Sequence, residues 1–197
     1  MEELDDPLQS TFANHVDTVY RALDVLHPAL HRAVDICSTV MLSEHKVLAC
    51  GNGLASAIGQ AFCASMLNSS RLERPGLPAL SLGSDATVLS AIAEAQSFGD
   101  IFSRQIQAIG QPGDALIVIS GVASSSSIVQ AIRAAHAREM QVIALTGGNG
   151  GDAALLLETE DLELRIPSED PARVLECQLL ILNSISAMLE ARLFGAG

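Results

Sequence analysis

The sequence predicts an α/β domain with a parallel sheet of about five strands, flanked by helices and preceded by two N-terminal helices. Three observations carry this. The short apolar runs are continuous rather than alternating, which marks strands buried on both faces. Segments of helical length separate them, as parallel connections require. A chain of 197 residues with 49% hydrophobic content suits one core better than two. Residues 1–197 are therefore read as a single domain, with 1–44 as its N-terminal helices.

Phe12, Val16, Val19, Leu23 and Leu26 step by three and four and form one stripe of a helix. Pro28 suits a first-turn position, and Leu30, Val34, Cys37 and Met41 mark a second helix. The strand runs follow as Lys46–Cys50, Ala79–Leu82, Ala115–Ile119, Val142–Leu145 and Leu162–Ile166. Helices are expected at about 54–67, 86–95, 98–109, 125–138 and 170–193. The last is apolar nearly all round from Val174 to Leu189, so it is expected to be buried on more than one side, in part by a partner subunit.

Net charge is −12, and no cluster of cations is present to grip a phosphate backbone or an anionic membrane. The first residues are acidic and lack the pattern of a signal peptide. The apolar stretch 175–189 is interrupted by Gln178, Asn183 and Ser184, which argues against a membrane span. A cytoplasmic location is the expectation. Cys37, Cys50, Cys63 and Cys177 are scattered without a CxxC pair and read as small buried hydrophobes. The five histidines show no metal-site grouping, and no metal or cofactor is expected.

Ligands of such sheets bind where strands end and helices begin. Two strand ends carry suitable residues. Cys50-Gly-Asn-Gly-Leu-Ala-Ser56 combines a tight turn with a helix N-terminus that can receive an anion. Ile119-Ser-Gly-Val-Ala-Ser-Ser-Ser-Ser-Ile128 offers hydroxyls that either cap a helix or bind phosphate. The loop Thr146–Gly151 reads as a plain turn.

Gly51-Asn-Gly53, Glu73–Leu80, Asp100–Arg104, Gly113–Ser120, Ile143–Gly147 and Arg165–Pro167 fall in the order and spacing of the sugar-isomerase (SIS) family. The chain resembles its phosphoheptose isomerases and the related DiaA group, whose members associate with the replication initiator DnaA. The resemblance implies an SIS-type three-layer fold and a homotetramer sharing its N-terminal helices. It also places the isomerases' zinc and proton-transfer residues, a His, a Glu, a Gln and a second His, at Ala61, Ser65, Leu175 and Asn183. None of these four can replace its counterpart, and Glu176 is the one acid near those positions. By the same resemblance the phosphate loop is eroded at Ala55, Gly121 and Val122, and a residual phosphosugar site is left at Asn52, Gly53, Ser120, Ser124 and Ser125. The ending Leu193-Phe194 resembles the partner-contacting end of DiaA, with Phe194 on the initiator and Leu193 supporting the assembly.

These features favour a reading without catalytic residues: a homotetrameric adaptor that binds a DnaA-type initiator. The alternatives are a phosphoheptose isomerase, and a sensor that binds a sugar phosphate without converting it.

Overall fold

The computed structural model describes residues 6–69, 71–121 and 125–195. The elements run α1 (Pro7–Leu42), β1 (Val47–Gly51), α2 (Leu54–Leu67), β2 (Ala79–Ser81), α3 (Ala86–Ala95), a 3-10 turn (Phe98–Asp100), α4 (Ser103–Ile109), β3 (Ala115–Ile119), α5 (Ser126–Ala137), β4 (Gln141–Gly147), α6 (Gly151–Ala154), β5 (Leu162–Ile166) and α7 (Pro171–Phe194). The five strands form one parallel sheet in the order β2-β1-β3-β4-β5.

Alternate residues of each central strand feed opposite cores. Val47, Ala49, Ile117, Ile119, Ile143 and Leu145 face α1, α2 and α7. Leu48, Cys50, Leu116, Val118, Val142 and Ala144 face α4 and α5. Both faces are covered, so β1 and β3 are buried at every position. This is why the strands read as continuous apolar runs.

The expectation of two N-terminal helices is corrected. α1 is one helix of 36 residues with Pro28 inside it. A proline there removes one backbone hydrogen bond and crowds the preceding turn. Burial on either side outweighs that local cost: Ala22 and Leu26 before Pro28, and Ala33, Val34 and Cys37 after it, belong to the core shared with α7 and β5. On the N-terminal half of α1, Phe12, Val16, Tyr20 and Leu23 stay exposed, so much of the expected stripe has no cover among the described residues.

The segment 98–109 divides into a 3-10 turn and α4, and the supposed plain turn after β4 opens the four-residue α6. α7 also differs from its expected reading. At 24 residues it is long and apolar enough, by those criteria, to cross a membrane. Its buried side, including Val174, Cys177, Ile181, Ile185 and Leu189, instead packs into the core. The four cysteines are buried and unpaired. Burial pushes the thiols of Cys37, Cys50 and Cys63 up to about 12, which leaves them without reactive thiolate.

Candidate functional site

The two strand ends singled out by sequence become neighbours. β1 and β3 pair directly, with Gly51 opposite Ile119, and the strand order reverses between them. α2 then packs on one face of the sheet and α5 on the other. This crevice is where doubly wound sheets bind ligands.

Gly51 allows the close approach: a Cβ there would stand 2.9 Å from both Ala55 Cβ and the Ile119 carbonyl oxygen. Gly53 turns the chain at φ +56 into α2, a conformation most residues avoid. Asn52 is thereby aimed across the crevice. Its Nδ2 donates to Ser125 Oγ and to Ser127 Oγ, each at 2.9 Å, and the two hydroxyls lie 3.0 Å apart. Ser125 is the N-cap residue of α5, yet its side chain makes no capping hydrogen bond. Its hydroxyl belongs to the Asn52 network instead.

That network has a consequence for ligand binding. Both amide hydrogens of Asn52 are engaged by the serine oxygens. One hydroxyl hydrogen bridges the serines, which leaves the other to donate outward. Fully buried Ser127 suits the bridging role, and half-buried Ser125 the outward one. With the free N–H groups at the start of α5, this forms a cradle for an anion. A Cβ at Gly53 or Gly121 would meet nothing within 4 Å among the described residues.

Ser120 is buried beside the cradle, and its carbonyl oxygen accepts from Gln178 Nε2 at 2.6 Å. The same nitrogen reaches the Leu145 carbonyl oxygen at 3.2 Å, while Gln178 Oε1 has no partner among the described residues. Gln178 thus ties α7 to the ends of β3 and β4. Ser124 and Val122 lie outside the described residues. Ser56, beside Ala55, contacts the Gly83 carbonyl oxygen instead, at 3.4 Å. Sequence reasoning missed Ser127 and Gln178. Ser127 was one of four adjacent serines, and Gln178 read as an interruption in an apolar helix.

The four positions that the resemblance equips for zinc and proton transfer are only partly assembled. Ser65 and Asn183 line one cavity of about 120 Å³ between α2 and α7, with Ser69, Arg71, Ser186 and Glu190. Ala61 is exposed, and Leu175 packs against the core. A zinc site needs three or four donors. Ala61 and Leu175 have none, and the Ser65 hydroxyl donates to the Phe62 carbonyl oxygen at 2.8 Å. Among the described residues no three His, Cys, Asp or Glu side chains are grouped to hold a metal. The residues present do not fit zinc.

Glu176, the acid beside those positions, is engaged elsewhere. It meets His15 Nδ1 at 2.6 Å and Arg173 Nη2 at 2.7 Å, tying α7 to α1. The carboxylate facing the cavity is Glu190, which sequence reasoning missed because it lies near the end of α7. Arg74 Nε donates to it at 2.8 Å, and the Arg74 and Glu190 side chains are 1% and 8% exposed. The Ser69 hydroxyl, then the Arg74 and Arg71 charges, hold its carboxyl below the usual carboxylate range against the opposing effect of burial.

At the C-terminus, Leu193 packs against the core. Phe194 is partly exposed, with the Arg74 guanidinium 5.6 Å from its ring centre.

Residues 11–147 match the family model described as SIS domain. The chain is 43% identical over 185 residues to a protein named phosphoheptose isomerase from Chromohalobacter salexigens, covering 94% of each chain. It is 41% identical over 182 residues to one from Coxiella burnetii, covering 92% of each. Among solved structures, the phosphoheptose isomerase of Francisella tularensis matches with a TM-score of 0.91 at 35% identity, over 96% of this chain and 98% of that one. That of Neisseria gonorrhoeae matches with a TM-score of 0.89 at 32% identity, over 93% and 97%. These relatives overturn the reading of a non-catalytic adaptor for a DnaA-type initiator: chains similar over more than nine-tenths of both lengths carry the name of the enzyme. Sequence match and fold agree, and the chain belongs to the SIS-domain family, in its phosphoheptose isomerase group.

Proposed function

We propose that the chain is a phosphoheptose isomerase that holds the phosphate of a ketoheptose phosphate in the Asn52–Ser125–Ser127 cradle, with Ser120 and Gly53 at its edge. The observation that carries the reaction class is the similarity to proteins named phosphoheptose isomerase over nearly the whole of both chains. The cradle supports the ligand class, since it offers hydroxyl and backbone donors to an anion. Ser124 belongs to this site in our reading by its place in the sequence alone.

The reacting carbons are assigned to the cavity at Ser65 and Asn183. α2 connects the two places: Leu54 opens the helix just after Asn52, and Ser65 lies about 16 Å further along at 1.5 Å per residue. An extended seven-carbon phosphate with a hydrogen bond at each end spans a comparable length. Ketose-to-aldose conversion takes a proton from the hydroxymethyl carbon and returns one to the former carbonyl carbon. The hydroxyl proton crosses between their oxygens. Glu190 is the carboxylate assigned to the carbon-bound proton. Its lowered pKa makes it a weak base, so turnover is expected to be slow.

Self-association accompanies this reading, in the form of the homotetramer implied by the family. It is supported by the uncovered apolar faces of α1 (Phe12, Val16, Tyr20, Leu23) and α7 (Leu179, Leu180).

A second reading, phosphosugar binding without conversion, is favoured by the lack of donors at Ala61 and Leu175. One experiment separates them. Aldose phosphate is measured after incubation with sedoheptulose phosphate, and binding is followed by calorimetry. Slow turnover above a protein-free control is expected, lost in Glu190→Gln. Saturable binding without turnover selects the second reading, and the absence of both ends the proposal. Ser125→Ala, which removes the outward-donating hydroxyl, is expected to weaken binding by about tenfold to a hundredfold, the 1.5–3 kcal/mol of a hydrogen bond to a charged group. Unchanged affinity in that variant removes the cradle assignment.

A further inference from the structure

We propose that the cavity between α2 and α7 is a metal-free subsite, in which Ser65, Asn183 and Ser186 bind the oxygen-rich end of the sugar and Arg71 supplies the positive charge. This rests on the reading of the ligand as a phosphorylated sugar. The family resemblance puts a zinc ion here, and the donors present cannot hold one.

What the cavity does contain suits oxygen ligands. The Ser65 hydroxyl donates to the Phe62 carbonyl oxygen, so the 3.1 Å contact between the serines has Ser186 donating to Ser65. Ser65 keeps acceptor capacity, Ser186 keeps lone pairs, and Asn183 brings an amide that both donates and accepts. Sugar hydroxyls need this mixture of donors and acceptors, whereas a zinc ion needs concentrated negative charge or imidazole nitrogen. The volume of about 120 Å³ is that of about four waters, enough for a few hydroxylated carbons.

The charges point the same way. Glu190 is matched by Arg74, whose remaining hydrogen bonds go to the carbonyl oxygens of Ser65, Met66 and Pro75. Arg71 lines the same cavity and forms no contact ion pair among the described residues. A local positive balance results, within a chain of net charge −12. A guanidinium so placed favours negative charge on a ligand oxygen, the role a metal ion fills in metal-dependent sites.

The test measures binding of sedoheptulose phosphate and of inorganic phosphate to the full-length protein by calorimetry, in EDTA and with added zinc. Sugar-phosphate affinity is expected to agree within about twofold between the two conditions. Arg71→Met and Asn183→Leu replace exposed residues. Each is expected to weaken sugar-phosphate binding about tenfold, the effect of one lost hydrogen bond to a charged group or its equivalent. Affinity for inorganic phosphate, held at Asn52 and Ser125, stays unchanged, and thermal melting confirms that the variants fold. Binding that requires zinc, a stoichiometric zinc site detected by a metal-sensitive dye, or variants with unaltered sugar-phosphate affinity each overturn the subsite. Failure of the unmodified protein to bind any sugar phosphate instead removes the reading on which it rests.

Discussion

Replacing Arg74 with Met is expected to lower stability by about 3–5 kcal/mol, the cost of removing one partner of a buried ion pair. Arg74 is almost wholly buried and serves four acceptors. Besides Glu190 Oε1, it donates to the Ser65 and Met66 carbonyl oxygens at the end of α2 and to its neighbour Pro75. The last carbonyls of a helix have no partner within the helix. Arg74 thus closes α2, anchors the segment leading to β2, and binds α7 near its end. Without it, the Glu190 carboxylate loses its principal counter-charge and three carbonyls lose a donor. At about 2–4 °C per kcal/mol for a chain of this size, the melting temperature should fall by about 6–20 °C. Lysine should not rescue, since one ammonium cannot reproduce the fork of a guanidinium. The pH dependence has a definite sign. The Glu190 pKa is lowered by folding, so its contribution is complete above the ordinary carboxylate value and is lost as pH falls through the lowered one. The stability gap between wild type and Arg74→Met should therefore narrow in acid. A gap below about 1 kcal/mol at neutral pH would refute this role, because that is the range of exposed pairs.

Asp114→Ala is expected to cost about 1.5–3 kcal/mol, the range of a hydrogen bond to a charged group: it removes a buried carboxylate from donors on Lys46 and Gln111, which are themselves partly or fully exposed. Asp114 is wholly buried and accepts from the Lys46 N–H at 3.0 Å, the Gln111 N–H at 2.9 Å and Lys46 Nζ at 2.6 Å. It pins the entries of β1 and β3 together, at the opposite end of the sheet from the cradle. Gly113 beside it sits at φ +90, where a Cβ would stand 2.5 Å from His45 Nε2. Asp114→Asn keeps the shape but turns one acceptor into a donor, so it should recover only part of the loss. Denaturant unfolding measures the stability, and phosphate binding on the folded variant should match wild type. Reduced phosphate affinity without loss of stability would contradict a purely structural role.

Much of the fold could be read directly because its signals are local. The runs at 115–119 and 162–166 are the observed β3 and β5, and 54–67 and 86–95 are the observed α2 and α3. A strand between two helical layers must be apolar throughout, and that leaves a plain trace in the chain. Pro28 misled for the same reason. As a local signal it ends a helix, but the burial that holds α1 together lies in α7 and β5. The site was legible in its parts and not in its arrangement. Asn52 and Ser125 were identified on separate loops, while buried Ser127 and its bonds to Asn52 were not. Gln178 and Glu190 were invisible, because their partners, Ser120 and Arg74, lie 58 and 116 residues away.

The sequence by itself determined the layered parallel sheet, the Gly-Asn-Gly turn, the hydroxyl-rich loop and the absence of zinc donors at Ala61 and Leu175. Each is a matter of residue type and short-range period. Only the tertiary structure decided that the two loops meet at the reversal of strand order, and that Ser125 bonds to Asn52 and Ser127 rather than capping its helix. It also decided that Glu176 is taken up by His15 and Arg173 while Glu190 faces the cavity. The physical reason is common to all of these. The role of a polar side chain is set by which donors and acceptors reach it, and in this fold those come from distant parts of the chain.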